Sequence, residues 1–190
     1  GVRCIGLTWN YRNELADGVM DSESGGGLTM FGRSVVAEMN RLGMIIDVSH
    51  ISEKGFWETV ELSSDPIIAS HSNAAAVCDH RRNLNDRQLL AIAKNGGATG
   101  INFLGDFLTA EGHAKMDDVI RHIEYIVGLT GEDHIGLGSD FDGHDNPPVD
   151  VRSILDVARL MERLLQLNYS EACVRKIAGE NMLRVIEQIL

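Results

Sequence analysis

Apolar positions along the chain follow two alternating patterns. Short apolar runs occur at residues 3–9, 44–49, 66–70, 98–103 and 134–139. Each is β-branched or punctuated by glycine and apolar on both sides, which predicts buried parallel strands. Between and after these runs, apolar residues recur at helical spacing. Phe31, Val35, Met39 and Leu42 predict a helix over 31–42. A second helix, 52–63, starts with Ser52 as N-cap and Glu53 in its first turn. Residues 86–94 carry Leu89, Leu90 and Ile92 and stop at Gly96-Gly97. Residues 117–129 and 151–167 are amphipathic. A last helical stretch, 170–190, begins at an N-capping Ser170 and contains Gly179 as a point of breakage.

Alternating strands and helices imply an α/β fold with a parallel sheet. Five strands fit an open doubly wound sheet as they stand. They fit an eightfold (β/α) barrel, about 250 residues long, if about three strands are lacking. The longest loop, 10–28, follows the first strand and holds Gly25-Gly26-Gly27. No Lys-Ser/Thr accompanies these glycines, which argues against a phosphate-cradling loop.

Composition adds boundaries. The 190 residues suit one domain, with 44% hydrophobic and 24% charged positions. A formal net charge of −11 argues against nucleic acid or an anionic membrane as partner. Cys4, Cys78 and Cys173 are scattered, without metal-ligand spacing, and read as free thiols.

The chemistry concentrates at strand ends. Two runs finish alike, in Met44-Ile45-Ile46-Asp47-Val48-Ser49-His50 and Pro66-Ile67-Ile68-Ala69-Ser70-His71. Strand alternation puts Ile46, Val48 and His50 on one side of the first, and Ile67, Ala69 and His71 on one side of the second. On parallel neighbours about 4.8 Å apart, both imidazoles would emerge at the C-terminal edge, where such folds bind ligands. Paired neutral imidazoles there make half of a metal site. A lone strand-end histidine is more often a hydrogen-bonded structural residue; two in matched positions favour ligation.

The fifth run ends Gly136-Leu137-Gly138-Ser139-Asp140-Phe141-Asp142-Gly143. Alternation sets Gly136, Gly138 and Asp140 on one side, so Asp140 can serve a metal or move a proton; a turn or cap is the plainer use. In Cys78-Asp79-His80-Arg81-Arg82-Asn83, the arginines can grip a carboxylate or form surface ion pairs. His113 and His122 read as solvent-facing, His80 as surface, His134 as lying at the wrong strand end, and His144 as loop.

These stretches resemble the membrane (renal-type) dipeptidase family of zinc metallopeptidases: GLTMFGRSVVAEMNRLGMIIDVSHIS, PIIASHSNAAAVCDHRRNLND, GINF and HIGLGSDFDG, with the closing SEACVRKIAGENMLRVIEQIL. The resemblance runs over the whole chain. It implies about five βα units forming the C-terminal part of a metal-dependent-hydrolase-type (β/α)8 TIM barrel. It also implies hydrolysis of dipeptides by a hydroxide bridging two zinc ions. By that resemblance His50 and His71 are ligands of one zinc, Asp140 is the catalytic proton carrier, and Arg82 binds the substrate's terminal carboxylate. Some members accept a D-residue at the C-terminal position or open carbapenem-type rings.

The family's His-x-Asp zinc motif has no counterpart before His50. The resemblance therefore implies that residues 1–190 form a single, incomplete barrel lacking its N-terminal strands, with the missing segment as a partner. The expected zinc content is at most one ion, and the isolated chain is expected to be inactive. A homo-oligomer and a cytoplasmic location are further expectations. Two other functions stay open, another amidohydrolase on the same barrel and a catalytically silent binding or assembly domain.

Overall fold

The computed structural model describes residues 1–190. One sheet contains β1 (Cys4–Gly6), β2 (Ile45–Asp47), β3 (Ile68–Ala69), β4 (Ala98–Asn102) and β5 (Ile135–Ser139). Every pairing is parallel, and spatial order equals chain order. A doubly wound sheet reverses its order at a switch point. This sheet never does, so its five βα units follow the succession of a (β/α) barrel wall.

The helices are α1 (Met30–Leu42), α2 (Glu53–Leu62), α3 (Asp86–Lys94), the short α4 (Gly105–Leu108), α5 (Met116–Thr130), α6 (Val157–Gln166), α7 (Glu171–Arg175) and α8 (Asn181–Ile189). Ser52 and Ser170 cap α2 and α7 by accepting from Gly55 N and Cys173 N, as the sequence leads one to expect. Ile46, Ile101 and Ile135 of the strands, with Ile67 just before β3, join Val36, Phe56, Leu89, Ile92, Ile123 and Ile126 of the helices in the main core. On the opposite face, Ile45, Ile68 and Ala98 pack against Val185 of α8. Arg184 of α8 donates to the carbonyls of Gly96 and Asp133, in the turns leading into β4 and β5. α8 thus closes the N-terminal end of the sheet and leaves the C-terminal end open.

The sheet is strongly curled. A Cβ at Gly138 of β5 would lie 2.2 Å from the Ser70 carbonyl and 2.9 Å from His71 Cα, across the intervening β4. Only glycine allows the ends of β3 and β5 to approach this closely.

Two expectations need correction. The inward face of α1 is Gly32, Val36 and Met39, while Phe31 and Leu42 are exposed. Gly32 fixes this rotation, because its Cα packs against the Leu15 carbonyl where a Cβ would not fit. The helix expected over 151–167 begins only at Val157, after a 3-10 turn at Ile154–Asp156. The break anticipated at Gly179 is present: a π-turn, Lys176–Glu180, joins α7 to α8, and Gly179 within it leaves helical geometry.

The 10–28 loop is organised around Asp17. Its carboxylate is buried, pairs with Arg12, and accepts from Ser24 Oγ and the N–H groups of Gly26 and Gly27. Burial alone would raise the Asp17 pKa; the bonds from Ser24 and Arg12 outweigh it, and the net shift is downward. The glycine triplet therefore serves an internal carboxylate, with Gly25 and Gly27 in the left-handed region at φ 65° and 64°.

Candidate metal and substrate site

β2 and β3 are in register at Asp47 and Ile68, so His50 and His71 each lie three residues past a paired position. Strand alternation does not deliver them to the mouth. Ile46, Val48, Ile67 and Ala69 all face the helices, and continued alternation would bury the imidazoles there too. The strands instead end at Asp47 and Ala69. The following turns swing both rings to the open end, with His50 in the left-handed region at φ 71°. Such backbone costs about 1–3 kcal/mol and persists where surroundings enforce it.

His50 Nε2 and His71 Nε2 lie 2.8 Å apart. The other nitrogens point away from each other. His50 Nδ1 is 2.8 Å from Asn10 Oδ1, and His71 Nδ1 is 2.7 Å from Ser70 Oγ. An imidazole whose Nδ1–H is engaged by an oxygen presents its Nε2 lone pair, the usual posture of a metal-ligating histidine. Burial, with Arg82 and His71 nearby, drives the His50 pKa down to about 3. Burial and Arg82 lower that of His71 as well, against the opposing pull of Asp47 and Asp140. Both rings are accordingly neutral at pH 7, the form that binds metal. The pair fits a divalent cation but does not complete its shell: nowhere do three or more His, Cys, Asp or Glu side chains group around a metal position.

Asp140 follows β5. A bulge pairs Ile101 with Leu137 and Asn102 with Ser139, after which Ser139 and Asp140 adopt φ 41° and 66°. Asn102 holds the carboxylate, donating from Nδ2 to Asp140 Oδ2 at 3.1 Å. Asn102 Oδ1 is occupied by the Leu104 N–H at 2.6 Å, which fixes which way the amide points. Gly143 makes room, since a Cβ there would meet Asp140 Oδ1.

Arg82 is buried and forms no ion pair. Its Nη2 donates to the His71 carbonyl at 3.3 Å, its Nε has no partner, and its guanidinium lies over Phe107 at 5.5 Å. Burial pushes its pKa down to about 10, with Asp47 and Asp140 pulling the other way; it remains a cation at pH 7. A buried, unpaired guanidinium is costly and creates a demand for an anion.

His50, Asp140 and Arg82 line one cleft of about 480 Å³, together with Trp9, His80 and Phe107. His71 lies one contact further in, against His50. His80, expected on the surface, is instead half-buried and stacked on Phe107 with centroids 4.4 Å apart. His122, expected to face solvent, is fully buried. Its Nε2–H donates to the Leu108 carbonyl and its Nδ1 accepts from Ala74 N–H, both at 3.1 Å. Its helical spacing from Val119 and Ile126, both buried, is the signal that would have placed it inward. His113 is exposed, and His134 sits at the closed end, bonded to the Gly97 carbonyl.

Asn10, Asp47 and Asn102 escape a reading of motifs. Asp47 alone carries a clear signal: a carboxylate inside an apolar run is a buried group in need of partners.

Fold and site together define a chain of the metal-dependent hydrolase barrel class. The profile of the membrane dipeptidase family (Peptidase family M19) matches residues 1–190, and the chain belongs to that family. A Klebsiella pneumoniae relative, described as an uncharacterized protein in the pqqA 5' region, is 40% identical over 198 residues, covering all of this chain and 73% of its own. A metallo peptidase from Rhodobacter sphaeroides, liganded with a phosphinate mimic of the dipeptide L-Ala-D-Ala, superposes with a TM-score of 0.94 at 36% identity. The structure of the dipeptidase AC, a metallo peptidase of family M19, gives a TM-score of 0.93 at 36% identity. Both superpositions cover the whole of this chain, which spans 56% and 58% of those two structures.

Proposed function

We propose that the protein is a metal-dependent dipeptidase in which His50 and His71 hold a zinc ion, Asp140 moves the proton and Arg82 anchors the substrate's terminal carboxylate. The observation that carries this reading is the meeting of two neutral imidazoles, Nε2 to Nε2 at 2.8 Å, with both Nδ1 atoms engaged elsewhere. Zinc, when bound, supplies Lewis acidity and lowers the pKa of water to about 7.

The chain's own residues do the rest. Asp140, oriented by Asn102, takes a proton from the attacking water and returns one to the departing amine as the C–N bond breaks. Arg82 receives the free carboxylate through charge-assisted hydrogen bonds, which satisfies its unpartnered Nε. Phe107 backs the guanidinium and His80, giving the carboxylate end of the cleft a firm wall. A buried cation at this end selects substrates that carry a free terminal carboxylate. The dipeptide mimic in the Rhodobacter sphaeroides relative supports this substrate class.

Structural zinc shells need about four ligands and catalytic ones at least three from protein. Our reading places the remaining ligands, and the strands that carry them, outside residues 1–190. It follows that this chain alone binds at most one zinc weakly and has negligible activity.

The test is an assay of the intact protein, stripped of metal and then restored with zinc, on simple dipeptides and on cyclic amides. Zinc-restored cleavage of dipeptides supports the proposal. Preference for cyclic amides would move the protein to another amidohydrolase activity, and inertness with full zinc loading would leave a binding role.

A further inference from the structure

The two Ser-His endings raise the question of what their serines do. Ser49 is buried and its Oγ accepts the His71 backbone N–H at 3.1 Å, bracing one ending against the other. Ser70 has a different task. Its Oγ lies 2.5 Å from Asp47 Oδ2 and 2.7 Å from His71 Nδ1. Asp47 is buried, and its Oδ1 is already filled by the N–H groups of Ser49 and Ser70, each at 2.9 Å.

A hydroxyl has one proton to give. The short contact to a carboxylate assigns it to Asp47, since a carboxylate is an acceptor only. Ser70 Oγ then faces His71 with a lone pair, and the ring proton of His71 has to sit on Nδ1.

We propose that Asp47 is a positioning residue that acts through the Ser70 hydroxyl to hold His71 in its Nδ1–H tautomer, presenting a bare Nε2 to the cation shared with His50. The inference rests on the metal reading of the two histidines. It adds a carboxylate–hydroxyl–imidazole relay that settles where one proton resides before any metal arrives. The relay also explains why a carboxylate is kept inside an apolar strand.

The relay can be reversed by one atom. Asp47→Asn retains an oxygen for the two backbone N–H groups and replaces Oδ2 with an NH2. That amide donates to Ser70 Oγ, whose own proton then turns toward His71 Nδ1. The ring proton moves to Nε2, where it blocks ligation.

The experiment uses the intact protein and two readouts. Long-range 1H–15N correlation spectra of the metal-free protein report the His71 tautomer. Competition against a chromophoric chelator reports zinc affinity. The wild type should show Nδ1–H. Asp47→Asn should show Nε2–H and bind zinc about 10- to 100-fold more weakly, the usual cost of losing a ligand's supporting partner. Ser70→Thr, which retains the hydroxyl, should match the wild type, and Ser70→Ala should lose the bias. His71 remaining Nδ1–H in Asp47→Asn overturns the proposal, whatever the zinc affinity. If that variant does not fold, Ser70→Ala against Ser70→Thr decides the same question, and equal tautomers in both overturn it. If the wild type binds no zinc, the metal reading fails, while the tautomer comparison still decides the relay.

Discussion

Asn102 holds Asp140 from the neighbouring strand, Nδ2 to Oδ2 at 3.1 Å, while the Leu104 N–H holds Asn102 Oδ1. The carboxylate assigned to proton transfer is therefore fixed in direction before substrate enters. Pre-organised groups of this kind lower the reorganisation that accompanies reaction.

If Asp140 moves protons and binds no metal, its loss should spare zinc. Asp140→Asn is expected to lower kcat by about 10²- to 10⁴-fold, the range for general acid–base groups. Zinc affinity from chelator competition should change little. Parallel loss of both would identify Asp140 as a ligand.

Arg82 makes a prediction about substrate shape. Arg82→Met removes a buried cation that has no carboxylate partner. A charge-assisted hydrogen bond contributes about 1.5–3 kcal/mol, so kcat/KM for a dipeptide should fall about 10- to 150-fold. The variant should lose its discrimination between a dipeptide and its C-terminal amide. Steady-state kinetics on the two substrates measures this, and undiminished discrimination would remove Arg82 from the role.

Gly138→Ala tests how His71 is seated. The new methyl would fall 2.2 Å from the Ser70 carbonyl and 2.9 Å from His71 Cα, both backbone atoms that cannot swing aside. The end of β3 has to shift, and zinc affinity should drop at least about tenfold. A crystal structure of the variant with His71 unmoved would contradict this.

His122 provides a pH signature. Burial, acting first, lowers its pKa from 6.5 to about 4, against the opposing pull of the Leu108 carbonyl. The unfolded ring takes up its proton near 6.5, the folded ring only near 4. Its contribution to stability is therefore present above pH 6.5 and lost as pH falls toward 4, by up to about 3 kcal/mol. Urea denaturation at pH 7 and pH 4.5 should show a smaller drop for His122→Gln than for the wild type. Equal drops would place the titration elsewhere.

Much of this was legible from residue order. Two-sided apolar runs mark buried strands, and all five lie where the pattern puts them. Asp86–Lys94 matches its expected bounds because a capping box, Asn85 with Gln88, and a left-handed Gly96 fix both ends locally. What depends on distant partners was not legible. Phe31 is exposed because Gly32 needs the close approach to Leu15. The matched strand endings put His50 and His71 side by side at the C-terminal edge, but the turns beyond the strands that bring them there were not legible. No local pattern announces that Asn10 meets His50 from 40 positions away. Asp47 and Ser70 are likewise joined only by the pairing of β2 with β3.

The central claim is that His50 and His71 share one cation through their Nε2 atoms. Crystals of the zinc-loaded intact protein, measured on either side of the zinc absorption edge, test it most directly. The account predicts an anomalous peak in contact with both Nε2 atoms, abolished in His50→Ala and His71→Ala. Full zinc occupancy at a position that touches neither imidazole would contradict it.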